Sequence, residues 1–101
     1  MIIINTTFVI ERSLYDQFVQ WVTQFYVSAA MKTGMFNTWR LAQVLSNDDP
    51  EVVSLACELT CESLSEGVRW HDTTASLLRD DMAARWGDKA LFFTTYLKQL
   101  S

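Results

Sequence analysis

The chain is short of the residues that interrupt regular structure: one proline, Pro50, and three glycines in 101 residues. Regular elements joined by short links are therefore expected. Phosphate cradles are not, because they need glycines in series and Gly34, Gly67 and Gly87 stand alone. Cations are also scarce, 8 Lys and Arg against 12 Asp and Glu, for a net charge of −4. That balance argues against nucleic acid or an anionic membrane as a partner, since both reward clustered Lys and Arg. No apolar run approaches the ~18 residues of a membrane span, and no signal-peptide pattern opens the chain, so a cytoplasmic protein is expected.

Histidine and cysteine are nearly absent too. A metal site needs three or four convergent ligands, and His71 has no second histidine beside it, so neither metal nor cofactor is expected. Cys57 and Cys61 lie four apart on a strand-like segment, too far along one face for a disulfide. They read as small buried hydrophobes. A thiol–imidazole pair with His71 would need an exposed, electropositive cysteine, and these sit among Leu55 and Leu59.

What the chain does hold is apolar surface: 50% hydrophobic and 13% aromatic residues. At this length roughly two-thirds of the unfolded surface is buried on folding, enough for a core in one domain spanning 1–101. Ile2 to Ile10 is rich in β-branched residues and suits a central strand, with Ile2, Ile4, Thr6, Phe8 and Ile10 on its more apolar face. Ser13 offers an N-cap, and Leu14, Phe18, Trp21, Val22, Phe25 and Ala29 follow at three- and four-residue steps as one helical stripe. Thr33-Gly34 supplies its stop.

A second strand runs from about Phe36 to Leu45, with Trp39, Leu41 and Leu45 on one side and Thr38, Arg40, Ala42 and Val44 on the other. Ser46-Asn47-Asp48-Asp49-Pro50 is a turn by residue chemistry. Val53, Leu55, Cys57, Leu59 and Cys61 then alternate with Ser54, Ala56, Glu58 and Thr60, a half-buried strand in a hairpin with the one before. Ser63 or Ser65 caps a second helix, whose buried face is read as Val68, His71, Ala75, Leu78, Met82 and Trp86, with Arg79, Asp80, Asp81 and Arg85 turned away. Gly87 ends it in the left-handed conformation. In the last strand Leu91, Phe93 and Leu97 share one face, and Phe92, Thr94 and Tyr96 the other.

The order βαββαβ, with right-handed crossovers, gives a ferredoxin-like α+β fold: a four-stranded antiparallel sheet with two helices on one face. The residues also resemble a small bacterial family of unknown function. The resemblance is carried by Met1-Ile-Ile-Ile-Asn5-x-Thr7, Trp21, Thr33-Gly34-x-Phe36, Arg40, Glu62-Ser63-Leu64, Arg69-Trp70, Leu78-Arg79 and Arg85-Trp86-Gly87-Asp88-Lys89. It implies a ferredoxin-like fold of the dimeric α+β-barrel kind and no activity. Where relatives tend to carry histidines, this chain has Tyr26, Thr74 and Met82.

The helix-free face of the sheet is expected to present Asn5, Thr7, Thr38, Arg40, Ser54, Glu58, Thr94 and Tyr96, fringed by Val9 and Phe92. That set is too apolar for a solvated surface and too polar for a core, and suits a half-polar cavity closed by a second sheet. The candidate pocket is Asn5, Thr7, Arg40, Glu58 and Tyr96, with Arg40 and Glu58 paired or Arg40 free to hold a small organic acid. Two functions follow as expectations. One is a non-catalytic homodimeric module that binds a small molecule or a protein partner. The other is a cofactor-independent small enzyme of the dimeric-barrel type: a monooxygenase, an isomerase or a haem-handling protein.

Overall fold

The β-branched residues that crowd the start of the chain form β1 (Ile2–Glu11), an inner strand of its sheet. The computed structural model describes residues 1–46 and 48–101; Asn47, in the expected turn, lies outside the described residues. With β2 (Thr38–Val44), β3 (Val52–Cys61) and β4 (Ala90–Lys98), β1 builds one sheet in the order β2-β3-β1-β4. Every pairing is antiparallel. This is the ferredoxin-like arrangement, and β2 and β3 are neighbours as their alternation indicates. β2 is shorter than expected at both ends. Phe36 leaves the sheet and is buried against Trp70, with ring centroids 5.2 Å apart.

The first helical segment comprises α1 (Tyr15–Trp21), a π-helical turn (Val22–Tyr26) and α2 (Val27–Lys32), in continuous right-handed helical backbone. Ser13 is not its cap. It sits inside a 3₁₀ turn (Arg12–Leu14), and its hydroxyl donates to Glu11 Oε1 at 3.1 Å. The π turn corrects the stripe. One extra residue per turn moves the buried positions from Phe25 and Ala29 to Tyr26 and Ala30. Phe25 is left 51% exposed, under the Arg85 guanidinium. Gly34 ends the layer at φ +73, its N–H donating to Met31 O.

The second helical segment breaks where one helix is expected. α3 (Leu64–Asp72) is capped by Ser63, whose side chain accepts from the Glu66 N–H, and α4 (Thr74–Trp86) follows after Thr73 leaves helical geometry. Within α3 the buried residues are Gly67 and Trp70, not Val68 and His71. The reason is a close approach: a Cβ on Gly67 would stand 2.5 Å from Ile4 Cδ1. The glycine lets α3 lie near the sheet without displacing the Ile4 side chain, and Trp70 packs inward on Tyr26 and Phe36. After the break, Ala75, Leu78, Met82 and Trp86 pack inward as their spacing indicates. Gly87 holds φ +57 with ψ −134, so positive φ is present but outside the left-handed helical basin.

Between the layers, Phe8 meets Phe18, Trp21 and Tyr26 at ring-centroid distances of 5.2, 6.4 and 5.3 Å. These edge-on contacts, with Ile4, Ile10, Leu55 and Leu59, place the core on the even-numbered face of β1 and the odd-numbered face of β3. No described helix is long and apolar enough to cross a membrane.

Candidate functional site

Antiparallel register decides which residues share the helix-free face. Asn5 lies between Glu58 on β3 and Thr95 on β4, and Glu58 in turn lies opposite Arg40 on β2. Arg40, Glu58 and Asn5 therefore stand in one row across three strands, with Thr7 two residues along, between Ala56 and Phe93. Arg40 Nη2 donates to Glu58 Oε1 at 2.7 Å. The pair is unequal: the Arg40 side chain is 72% exposed and that of Glu58 24%. Thr7 is buried, and Asn5 Oδ1 is buried with no hydrogen-bond partner among the described residues. A depression of about 420 Å³ lies alongside, lined by Ile3, Thr38, Arg40, Glu58 and Gln99.

Tyr96 does not join them. β4 pairs with β1 so that Phe92, Thr94 and Tyr96 oppose Phe8, Thr6 and Ile4, on the helix side. The helix-free face receives Leu91, Phe93, Thr95 and Leu97 instead. Sequence alternation sorted β4 into its two rows correctly but assigned the rows to the wrong faces. The more apolar row faces away from the helices, and Leu91, Phe93 and Leu97 are 57%, 56% and 38% exposed.

The polar row of β4 finds its partners beneath the helices, in a cluster that sequence reasoning missed. Tyr26 donates to Thr6 Oγ1 at 3.4 Å, and Thr6 and Thr94 hydroxyls lie 3.1 Å apart. Thr94 Oγ1 is 3.0 Å from His71 Nε2, and His71 Nδ1 is 3.2 Å from Asp72 Oδ1. With the neutral imidazole protonated on Nδ1, one consistent run of donors leads from the buried phenol to the exposed Asp72 carboxylate. Arg79 joins from α4 rather than turning to solvent: Nη2 donates to His71 O at 2.9 Å, and its Cζ sits 4.7 Å over the Phe92 ring. Nη1 is buried without a partner among the described residues. Burial pushes the Tyr26 hydroxyl up to about 12, against the opposing influence of the Thr6 hydrogen bond. One sequence signal was available. Thr6 interrupts an otherwise apolar row of β1 and calls for a buried polar partner.

The cysteines are not reactive groups here. Both are free and buried, and burial pushes the Cys57 thiol up to about 12. Cys61 shifts upward for the same reason and donates to Ser63 O at 3.4 Å. Among the described residues no three His, Cys, Asp or Glu side chains gather as a metal-ligand group.

A family model described as a domain of unknown function (DUF4286) matches residues 1–100, and the chain belongs to that family. No curated protein matches the sequence. Among solved structures the chain is similar to HapK from Hahella chejuensis, with a TM-score of 0.71 at 13% identity, covering 99% of this chain and 93% of that one. A second is an ethyl tert-butyl ether d (EthD) family protein from Bacillus halodurans, with a TM-score of 0.63 at 7% identity, covering 99% and 100%. A third, from an uncultured marine organism and described as a dimeric ferredoxin-like protein, gives 0.56 at 13% identity, covering 95% and 92%. At these identities the likeness is one of fold.

Proposed function

We propose that this member of a family of unknown function is a homodimeric, non-catalytic binding module. In this reading the helix-free sheet face of one copy covers that of another, as in a dimeric α+β barrel. The enclosed space, lined by Asn5, Thr7, Arg40 and Glu58, holds a small organic acid. The observation that carries the reading is the exposed row Leu91, Phe93 and Leu97, beside half-buried Ile3 and Val9 on the same face. An apolar strip of this kind on a sheet is a contact surface in want of cover. The unpartnered Asn5 Oδ1 at its centre supports the same view, and a similar solved protein is itself described as dimeric.

Arg40 supports the ligand half of the reading. It gives Glu58 one nitrogen, and the rest of its fork has no partner among the described residues. A carboxylate could be taken bidentately there. Arg40→Ala alone should cost under ~1 kcal/mol, because the pair is largely exposed. In a thermal-shift screen of small organic acids, the wild type should gain stability and Arg40→Ala should lose that gain. A wild type that no acid moves would remove the ligand from the account and leave the dimer.

A second reading, a cofactor-independent enzyme, rests on a different observation: His71 held between Thr94 and Asp72 at 3.0 and 3.2 Å. An imidazole fixed at both nitrogens is suited to moving a proton. It requires turnover that is lost in His71→Gln while the fold is kept.

A further inference from the structure

An open sheet has two free edges, and in this one they are guarded unequally. β2 carries Arg40 near its middle, with a side chain 72% exposed. β4 carries no charge, proline or glycine from Ala90 to Leu97, and its register with β1 runs unbroken, so no bulge turns it aside. The direction of its free main-chain groups follows from two bonds. Gln99 N–H donates to Met1 O at 2.9 Å, and Arg12 N–H to Glu51 O at 2.8 Å. Hydrogen-bonded pairs alternate along an antiparallel ladder, so the odd-numbered residues of β4 bond β1. The N–H and C=O groups of Phe92, Thr94 and Tyr96 therefore point outward, and among the described residues no strand takes them.

What lies beside that edge sets the chemistry of an added strand. A groove of about 730 Å³ between α4 and β4 is walled by Met82, Ala83 and Phe92, and the exposed Asp80 and Asp88 also line it. Neither aspartate has an ion-pair partner among the described residues. Arg79 lines the groove too, but its guanidinium turns inward, to His71 O and the Tyr26 hydroxyl. Further along the edge, Asp72 lies near Tyr96. On the opposite face the row beside the edge is apolar: Leu91, Phe93 and Leu97. A strand laid on β4 meets these two environments by alternation, with cations favoured on the helix side and apolar residues on the open side. We propose that the β4 edge docks an extended peptide segment of another protein, in which basic and β-branched residues alternate. A second copy's β4 is disfavoured there, because it would bring a second Asp80 and Asp88 to the same side. The site follows the rim of the sheet, so it goes beyond the dimer reading, and a single chain presents it in full.

The test is a titration of the intact protein with the peptide acetyl-VKVTVKV-amide, whose pattern reads alike in both directions, followed by amide hydrogen exchange in NMR. In the free protein the amides of Leu91, Phe93, Thr95 and Leu97 should exchange slowly, and those of Phe92, Thr94 and Tyr96 fast. Saturating peptide should slow the second set at least ~10-fold. N-methylation of the peptide's lysines and threonine, whose main-chain groups face β4, should abolish binding, whereas N-methylation of its valines should leave it. Glutamate in place of both lysines should weaken binding at least ~10-fold. The double variant Asp80→Asn, Asp88→Asn should weaken it about 5-fold, and added salt should erase that difference. Four results overturn the inference: no saturable binding to wild type; binding that leaves the Phe92, Thr94 and Tyr96 amides fast; the reverse N-methylation pattern; or equal binding of the glutamate peptide. Slow exchange of those three amides in the free protein would overturn it as well, by giving the edge to a second copy.

Discussion

The two faces of the sheet are made of alternate residues on the same four strands, yet they solve opposite problems. On the helix side, Phe8, Ile10, Val53, Leu55 and Leu59 are almost wholly buried, and the chain supplies its own cover. On the other side, Leu91 and Phe93 remain more than half exposed, while the polar row from Arg40 to Asn5 crosses the middle. The first face is complete in one copy. The second has the composition of an interior without a lid. Polarity differs in kind as well: the helix side hides a run of hydroxyls ending on one imidazole, whereas the open side shows an ion pair with one partner mostly in solvent. Stability should therefore reside in the first face and association in the second.

The largest effect expected is alkaline. Tyr26 and Cys57 lie on or against the helix-side face, and burial raises them from 10.0 and 9.0, each to about 12. Both hold their protons more tightly folded than unfolded, so their contribution is full below about pH 9 and is lost as pH rises toward 12. Each unit is worth about 1.4 kcal/mol, and together they should bring the protein to unfolding within that window. Urea titrations from pH 8 to 12 check this. A stability flat across the window would mean that neither group is sealed as described.

Next in size is a direct contrast between the faces. Trp21 is 2% exposed, packs on Phe8 and Trp86, and donates through Nε1 to Asp81 at 3.0 Å. Trp21→Ala should lower unfolding free energy by about 3–5 kcal/mol. Phe93→Ala, on the other face, should change it by under ~0.5 kcal/mol in dilute, monomeric conditions. Equal losses would erase the distinction between the faces.

Smaller still is the turn that hands α4 to β4. No atom lies within 4 Å of a Cβ built on Gly87, so the cost of Gly87→Ala is purely conformational. With φ +57 and ψ −134 it should be about 1–3 kcal/mol, below that of Trp21→Ala. Chemical denaturation of the two variants side by side ranks them.

How far the sequence displays all this depends on the kind of signal. β3 is legible because its alternation is strict and one row is buried throughout, and β1 because its β-branched run carries the more apolar row on its even positions. The stripe Phe18, Trp21 and Val22 is legible because it ends as the π turn begins. Tyr26 is not, since a one-residue slip leaves no mark in the spacing and Phe25 is the more apolar neighbour. β4 misleads for a physical reason: the usual inference sends the more apolar row to the core, and it fails where the opposite face is itself apolar. Tyr96 was misplaced by that rule. Arg40, Glu58, Asn5 and Thr7 fall together because the opposite rows of β1 and β3 are apolar apart from Thr6. Arg79 was invisible, because a cation beside a helical stripe ordinarily turns to solvent.

The claim that the open face awaits a second copy meets its most direct test in light scattering on a size-exclusion column at micromolar concentration. The chain mass is 11.6 kDa, and the account predicts twice that mass for wild type and a single chain for Phe93→Asp. Such a dimer should bury at least ~1,000 Å² in total. A wild type that elutes at 11.6 kDa, or a Phe93→Asp variant that stays at twice that mass, would contradict it.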